Sequence, residues 1–445
     1  MIDPRTLALG VTLIAGLTPF AALADPASQY ECSAYEFSTA LPSVEGKDGV
    51  FFRTFADLRL QHPMDQRTIT QLGRLAAVLR ENGTMLVYVT IPAKSQVMLD
   101  SLPEHTKDYG FDPEMAQMIY TDIITRMSAE GIIAPDVMTA LQGVKGDETP
   151  FFGADFHWTS QGARAAAQAI ADQIKADPAY AELTPAVYES KPLGKEVAFS
   201  GMRRSLQSFC KDALPPTATM AYKTTLVAGA AGDAAALDIF AGSSATVPAV
   251  LVGTSFSDSS INNFAGFLTE FTGLDIVNYA ITGGNQFGAL TSYMTSDEFK
   301  AQRPRFLIWE NPIYNNLAQN GSEPLEELIA AAGTSCTNIL ATTKVDDYTL
   351  SASLAGIKAH PDDAIFADYG EEGSRVASFS LQTTDGITRK AKIERASRLR
   401  GTGNFYLGLS PFRHPGFEKV MVRFDRPVTD ATQLSFCTGP KGDAS

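Results

Sequence analysis

The amino-acid pattern predicts two folds in series, an α/β domain built on a parallel sheet and then an antiparallel β-sandwich. Three observations carry this expectation. Up to Pro312, segments with apolar residues at helical spacing alternate with short, continuously apolar runs, as in a parallel sheet covered by helices on both faces. Beyond Cys336 the chain turns to short alternating segments parted by Gly and Asp, the texture of a sandwich. Charge changes at the same point. Residues 25–335 hold 21 Lys+Arg against 36 Asp+Glu, a net of −15, whereas residues 336–445 hold 14 against 13, a net of +1.

Ile69, Leu72, Leu75, Ala76 and Leu79 recur at helical spacing between Thr68 and Asn82, and Gly83 ends that helix. Thr84 to Ile91 is a buried strand with Pro92 and Lys94 at its carboxyl end. The spacing predicts a helix from Tyr120 to Glu130, a short strand at Ile132 and Ile133, and an Ala-rich helix from Ser160 to Lys175 capped by Thr159. Thr184 to Pro248 is weakly patterned and reads as loops with room for a hairpin. Ala249 to Gly253 is a strand, Ser259 to Phe271 a helix, and Asp275 to Ala280 a strand. A helical stretch follows Gly283-Gly284-Asn285, and Arg305 to Glu310 is the last strand of the unit. In the sandwich, strands are expected at 365–368, 376–382, 389–394, 404–409 and 419–424.

The amino end sets the compartment. Arg5 precedes an apolar run from Leu7 to Ala22, closed by Ala22-Leu23-Ala24, which reads as a signal peptide cleaved after Ala24. Gly10, Gly16 and Pro19 interrupt the run, and it is shorter than the ~20 residues a membrane span needs. The expected layout is a signal peptide at 1–24, one domain at 25–335 and another at 336–445. An exported chain with four cysteines favours disulfides. Of three connectivities the simplest is Cys32 with Cys210 and Cys336 with Cys437, each closing one domain. A four-Cys zinc site is disfavoured because no two cysteines lie close in sequence; no metal or cofactor is expected.

Asp155-Phe156-His157-Trp158-Thr159 ahead of a helix, and Ser255 in Gly253-Thr254-Ser255 after a strand, supply a nucleophile, a base and a carboxylate to orient the base. Both lie where an α/β sheet places ligands, at strand carboxyl ends and helix amino ends. The other four histidines fit less well: His62 and His414 precede prolines, His105 lies in a polar loop and His360 in the sandwich. Gly284 and Asn285, after Gly283, offer N–H groups and a side-chain amide for an oxyanion, or form an ordinary turn. Tyr314 either lines the same cleft or simply packs.

In the sandwich, Arg389, Lys390, Lys392, Arg395, Arg398, Arg400 and Arg413 face one acid, Glu394. On an acidic protein such a stripe is either a solvated strand face or a site for an anionic polymer, for which Arg395, Arg398 and Arg400 are the candidates. Nucleic acid is excluded by the compartment and the negative field.

Taken together, Asp155 to Thr159, Gly253 to Ser255, Asn263 to Leu268 and Trp309 to Pro312 resemble a known family, the periplasmic AlgX/AlgJ-like O-acetyltransferases of bacterial alginate and related exopolysaccharides. The resemblance covers most of the chain. It implies a circularly permuted SGNH-hydrolase-like domain, which accounts for Asp and His preceding Ser, followed by a β-sandwich carbohydrate-binding module. Ser255 would be the nucleophile, His157 the base, Asp155 its orienter and Tyr314 a cleft residue. The C-terminal module departs from the pattern, since both tryptophans lie in the first domain; Phe405, Tyr406 and the arginines would substitute. The expected reaction is acetyl transfer through a serine ester to hydroxyls of an acidic polysaccharide such as alginate. The acetyl group would come from a membrane acyltransferase or carrier, beside other export proteins. The rivals are a carbohydrate acetylesterase with the same triad and a non-catalytic polysaccharide-binding or export scaffold.

Overall fold

The computed structural model describes residues 28–60, 64–146, 148–227, 247–412 and 416–439. The expected signal peptide and Arg413 lie outside these residues.

A two-stranded ribbon, β1 (Ser43–Glu45) and β2 (Phe51–Arg53), opens the chain. The core of the first domain is a parallel sheet of β3 (Met85–Ile91), β6 (Ala249–Val252), β7 (Ile276–Asn278) and β8 (Phe306–Pro312), in the order β3-β8-β6-β7. Its two central strands, β8 and β6, are buried along their whole length, which their unbroken apolar runs foreshadow. The helices Gln66–Glu81 and Glu323–Gly333 pack on each other, as do Ser160–Ala176 and Phe264–Thr272. Their apolar faces join the sheet in one core. Asp65 caps the first helix through Thr68 N, and Thr159 caps the Ala-rich helix through Gly162 N.

Local differences from the expected elements have physical causes. The helix expected at 120–130 begins about two turns earlier, at Pro113, where Asp112 caps it and Pro occupies the first position. The stretch expected as one helix from Ser259 is broken at Asn263, which takes a left-handed conformation, so only Phe264–Thr272 is a regular helix. The weakly patterned region folds into a hairpin of β4 (Tyr188–Val197) and β5 (Ala218–Leu226). Most of β4 is exposed, so no buried face imposes an alternating pattern.

The second region holds two antiparallel sheets. The first is ordered β10 (Thr342–Asp346), β11 (Thr349–Ser353), β16 (Phe417–Phe424), β13 (Val376–Thr383), β14 (Thr388–Glu394). The second is ordered β15 (Asn404–Gly408), β12 (Ala364–Asp368), β17 (Gln433–Thr438), β9 (Ser335–Ile339). Phe379, Leu381, Val420 and Val422 of one sheet share a core with Ile365, Phe405, Leu434 and Phe436 of the other. The outer face of the four-stranded sheet, with Phe366 and Tyr406, packs on Ala330 and Ala331 of helix Glu323–Gly333. That helix therefore belongs to both cores. Disulfides join Cys32 to Cys210 and Cys336 to Cys437. Among the described residues no helix is long and apolar enough to cross a membrane.

Candidate active site

His157 stands between a carboxylate and a hydroxyl. Its Nδ1 lies 2.6 Å from Asp155 Oδ1 and its Nε2 lies 2.7 Å from Ser255 Oγ. An ionised carboxylate only accepts, so Nδ1 carries the proton and Nε2 is left to accept from the serine. The loop is shaped for this. Asp155 Oδ1 also accepts from His157 N at 2.7 Å, Phe152 N donates to His157 O, and Trp158 Nε1 donates to Phe256 O at 3.0 Å, tying the base loop to the nucleophile turn. Ser255 follows β6 after Gly253 and Thr254, with Thr254 as the cap of a single helical turn, Ser255–Asp258.

Three neighbours missed by the sequence analysis complete the arrangement. Ser200 donates to the second oxygen of Asp155, Oδ2, at 2.5 Å. Burial pushes the Asp155 carboxyl up, but the hydrogen bond and charge of His157 and the hydrogen bond from Ser200 outweigh it and hold the group below the usual carboxylate range. Lys94 is fully buried behind this loop. Its Nζ sits 2.9 Å from Phe51 O, 2.5 Å from Phe152 O, 2.7 Å from Gly153 O and 3.0 Å from Asp155 O. Burial pulls the ammonium down to about 7, against the pull of Asp57 and Asp155. We place the proton on it, because four carbonyl dipoles point at it. Glu310, at the carboxyl end of β8, accepts from Thr254 and Ser257 beneath the serine.

Tyr314 is the outer wall of a stack. The Arg53 guanidinium lies 4.3 Å from its ring centroid and 4.1 Å from that of Phe156, and Phe156 lies 4.1 Å from the His157 ring. Asp57 fixes Arg53 through Nε at 3.0 Å and Nη2 at 2.8 Å. Burial pushes the Tyr314 hydroxyl up to about 12, so it stays protonated.

The structure corrects two expectations. Gly284 is buried and its N–H donates to Ile281 O in a turn, so it is not free to bind an oxyanion. Asn285 is exposed, with a left-handed φ of 56°, in a loop held to the nucleophile turn by Ile281 N on Gly253 O and by Thr282 on Asp258. The basic stripe is not a single open face either. Arg395 is 6% exposed and forms a buried pair with Glu327, its Nη2 lying 2.7 Å from Oε1. Arg400 bridges Glu298 and Glu372, and Arg398 Nη1 donates to Gly283 O at 3.1 Å. These three arginines seat the second region on the first. A run of cations looks solvated when its acidic partners lie far off in sequence.

Comparison with known proteins places the chain. The family model described as SGNH hydrolase-like domain, acetyltransferase AlgX, matches residues 44–313. The chain belongs to this AlgX family. The alginate biosynthesis protein AlgX of Pseudomonas aeruginosa is 34% identical over 292 residues, covering 66% of this chain and 60% of that protein. AlgX of Azotobacter vinelandii is 31% identical over 402 residues, 88% of this chain and 75% of the relative. A probable alginate O-acetylase, AlgJ of Pseudomonas fluorescens, is 32% identical over 237 residues, covering 53% of this chain and 57% of that one. The solved structure of P. aeruginosa AlgX superposes with a TM-score of 0.75 at 24% identity, over 94% of this chain and 98% of that one. The fold therefore agrees with AlgX across both regions. Asp155, His157 and Ser255 all fall inside the part that matches the AlgX family model.

Proposed function

We propose that this AlgX-family protein acetylates an acidic exopolysaccharide through a serine ester. The observation that carries the reading is the chain Ser255–His157–Asp155–Ser200, with successive heavy-atom separations of 2.7, 2.6 and 2.5 Å. Ser255 Oγ attacks the carbonyl of an acetyl donor while His157 Nε2 takes its proton; Asp155 stabilises the imidazolium, which then protonates the leaving group. A sugar hydroxyl, deprotonated by the same nitrogen, attacks the acetyl-serine and releases Ser255. A uronate polymer such as alginate as acceptor is supported by the names its relatives bear. The apolar leader and the two disulfides support action in the periplasm, where the donor would be a membrane acyltransferase or carrier beside other export proteins. The Asp, His, Ser order supports a circularly permuted SGNH core at 25–335.

We assign residues 336–445 as a carbohydrate-binding module, but its cationic face is the open side of the five-stranded sheet rather than the Arg395–Arg400 loop. There Lys392, Ser378 and Arg423 lie in one cross-strand row, and Lys390, Ser380 and Met421 in the next, over a shallow depression of about 520 Å³. Mass spectrometry after exposure to an activated acetyl ester, with and without an oligouronate, tests the reading. Transfer to sugar supports it. Release to water alone makes the protein an esterase, and no acetyl adduct at Ser255 makes it a scaffold.

A further inference from the structure

Trp309-Glu310-Asn311-Pro312 is a motif that the serine reaction leaves unexplained. Its second residue is costly. Glu310 has no exposed surface, and among the described residues no Lys or Arg pairs with it. A buried carboxylate without a cation is disfavoured unless other groups repay its desolvation. Those that do so belong to the nucleophile turn. Thr254 N donates to Oε2 at 2.8 Å, Thr254 Oγ1 lies 3.0 and 3.2 Å from the two oxygens, and Ser257 Oγ donates to Oε2 at 2.8 Å. Gly253 fits because a Cβ there would collide with the same carboxylate. Ser255 sits between the two residues so held.

The flanking residues brace the other walls. Trp309 Nε1 donates to Gln286 O at 3.1 Å in the loop carrying Asn285, and Asn311 Nδ2 donates to Asn315 O at 3.1 Å beside Tyr314. One strand end thus sets three parts of the cleft. The titratable groups that feel the Glu310 charge are His157, Tyr88 and Tyr314. Of these only His157 becomes a cation.

We infer that Glu310 is a positioning residue for the serine reaction: its carboxylate fixes the Gly253–Ser257 turn so that Ser255 Oγ faces His157, and its charge favours the imidazolium formed when His157 takes the serine proton. The proton passes from Oγ to Nε2 and Glu310 itself exchanges none. This rests on Ser255 being acetylated, as proposed above.

The test compares full-length wild type with Glu310→Gln and Glu310→Ala. Circular dichroism checks folding, and the acetylation rate of Ser255 by an activated acetyl ester is followed across pH. Glu310→Gln keeps the shape, so it is expected to fold, with the maximal acetylation rate down by about 10²-fold, the cost of a small misplacement. The half-saturating ester concentration should change by less than roughly twofold, a loss confined to the transition state. Burial pushes the Glu310 carboxyl up to about 6, so its charge is lost on acidification, and the acid limb of the rate profile should move to lower pH in Glu310→Gln, which has no such charge to lose. Glu310→Ala should be slower still. A Glu310→Gln protein with the wild-type rate and acid limb overturns the inference, and so does one whose activity falls only in step with its folded fraction. Wild type that forms no adduct at Ser255 removes the serine reading itself, a result distinguishable from failure of the Glu310 variants alone.

Discussion

Ser255→Ala removes the atom that would carry the acetyl group, and His157→Ala removes the ring nitrogen that lies 2.7 Å from it. Each is expected to lower acetyl-ester turnover by more than ~10³-fold while leaving the thermal midpoint near wild type, since neither side chain holds the core. Turnover retained by Ser255→Ala would rule out the serine ester. Ser200 acts one step further back. Its hydrogen bond to Asp155 Oδ2 is one of the interactions that keep that carboxyl below its ordinary range. A group whose folded pKa is depressed contributes stability above its unfolded value, lost as pH falls through the folded one. Ser200→Ala raises the folded value, so loss of activity on acidification should begin at a higher pH than in wild type. At neutral pH the rate should fall on the order of tenfold, the worth of one hydrogen bond to a charged group. A pH–rate series on both proteins checks this; coincident acid limbs would leave Ser200 only as the cap of helix Gly201–Gln207, where its Oγ accepts from Arg203 N at 2.8 Å.

Lys94 shows how elements distant in sequence are locked at one point. It follows β3, yet its ammonium ties β2, through Phe51 O, to the loop that presents Asp155. Lys94→Met fills similar space but leaves these carbonyls without a donor, and should cost at least ~3 kcal/mol in denaturant-induced unfolding. Destabilisation within ~0.5 kcal/mol of wild type would mean that other groups or water satisfy them. The same residue marks what a sequence can disclose. Strand β3 and its end at Pro92 were legible because an apolar run bounded by breakers is a local signal, and so was Thr159 as a cap. Lys94 was legible only as a polar residue at that strand end, because its four acceptors lie on segments 43 to 61 residues away. Ser200 was hidden in the weakly patterned stretch. Asp155, His157 and Ser255 could be picked out because each sits at an element boundary, whereas the Gly284 turn could not be told from an oxyanion donor until the partner of its N–H was seen.

At the scale of the molecule the arginines divide into two jobs, and substitution can separate them. Arg395, 6% exposed, meets Glu327 of the shared helix and Asn404 O inside the seam, and Arg398 reaches the loop beside the catalytic cleft. Arg395→Ala strands a buried carboxylate, so it should destabilise the protein by ~3–5 kcal/mol and depress activity through loss of folded protein. Lys390, Lys392 and Arg423 instead project from the open sheet face; among the described residues Lys392 makes its ion pair with exposed Glu394, while Arg423 pairs with exposed Asp346 and also reaches Thr349 Oγ1 and the Tyr348 ring. Pairs of this kind add little to stability, so these charges can turn to an incoming polyanion. Replacing all three by Ala should therefore leave the thermal midpoint and the turnover of a small acetyl ester near wild type. It should weaken binding of an oligouronate and flatten the dependence of that binding on ionic strength, since fewer charge contacts remain to be screened. Equilibrium binding at two or three salt concentrations decides the point. If affinity and salt dependence are unchanged in the triple variant, the sheet face is merely solvated, and the acidic first domain must hold the polymer through uncharged contacts.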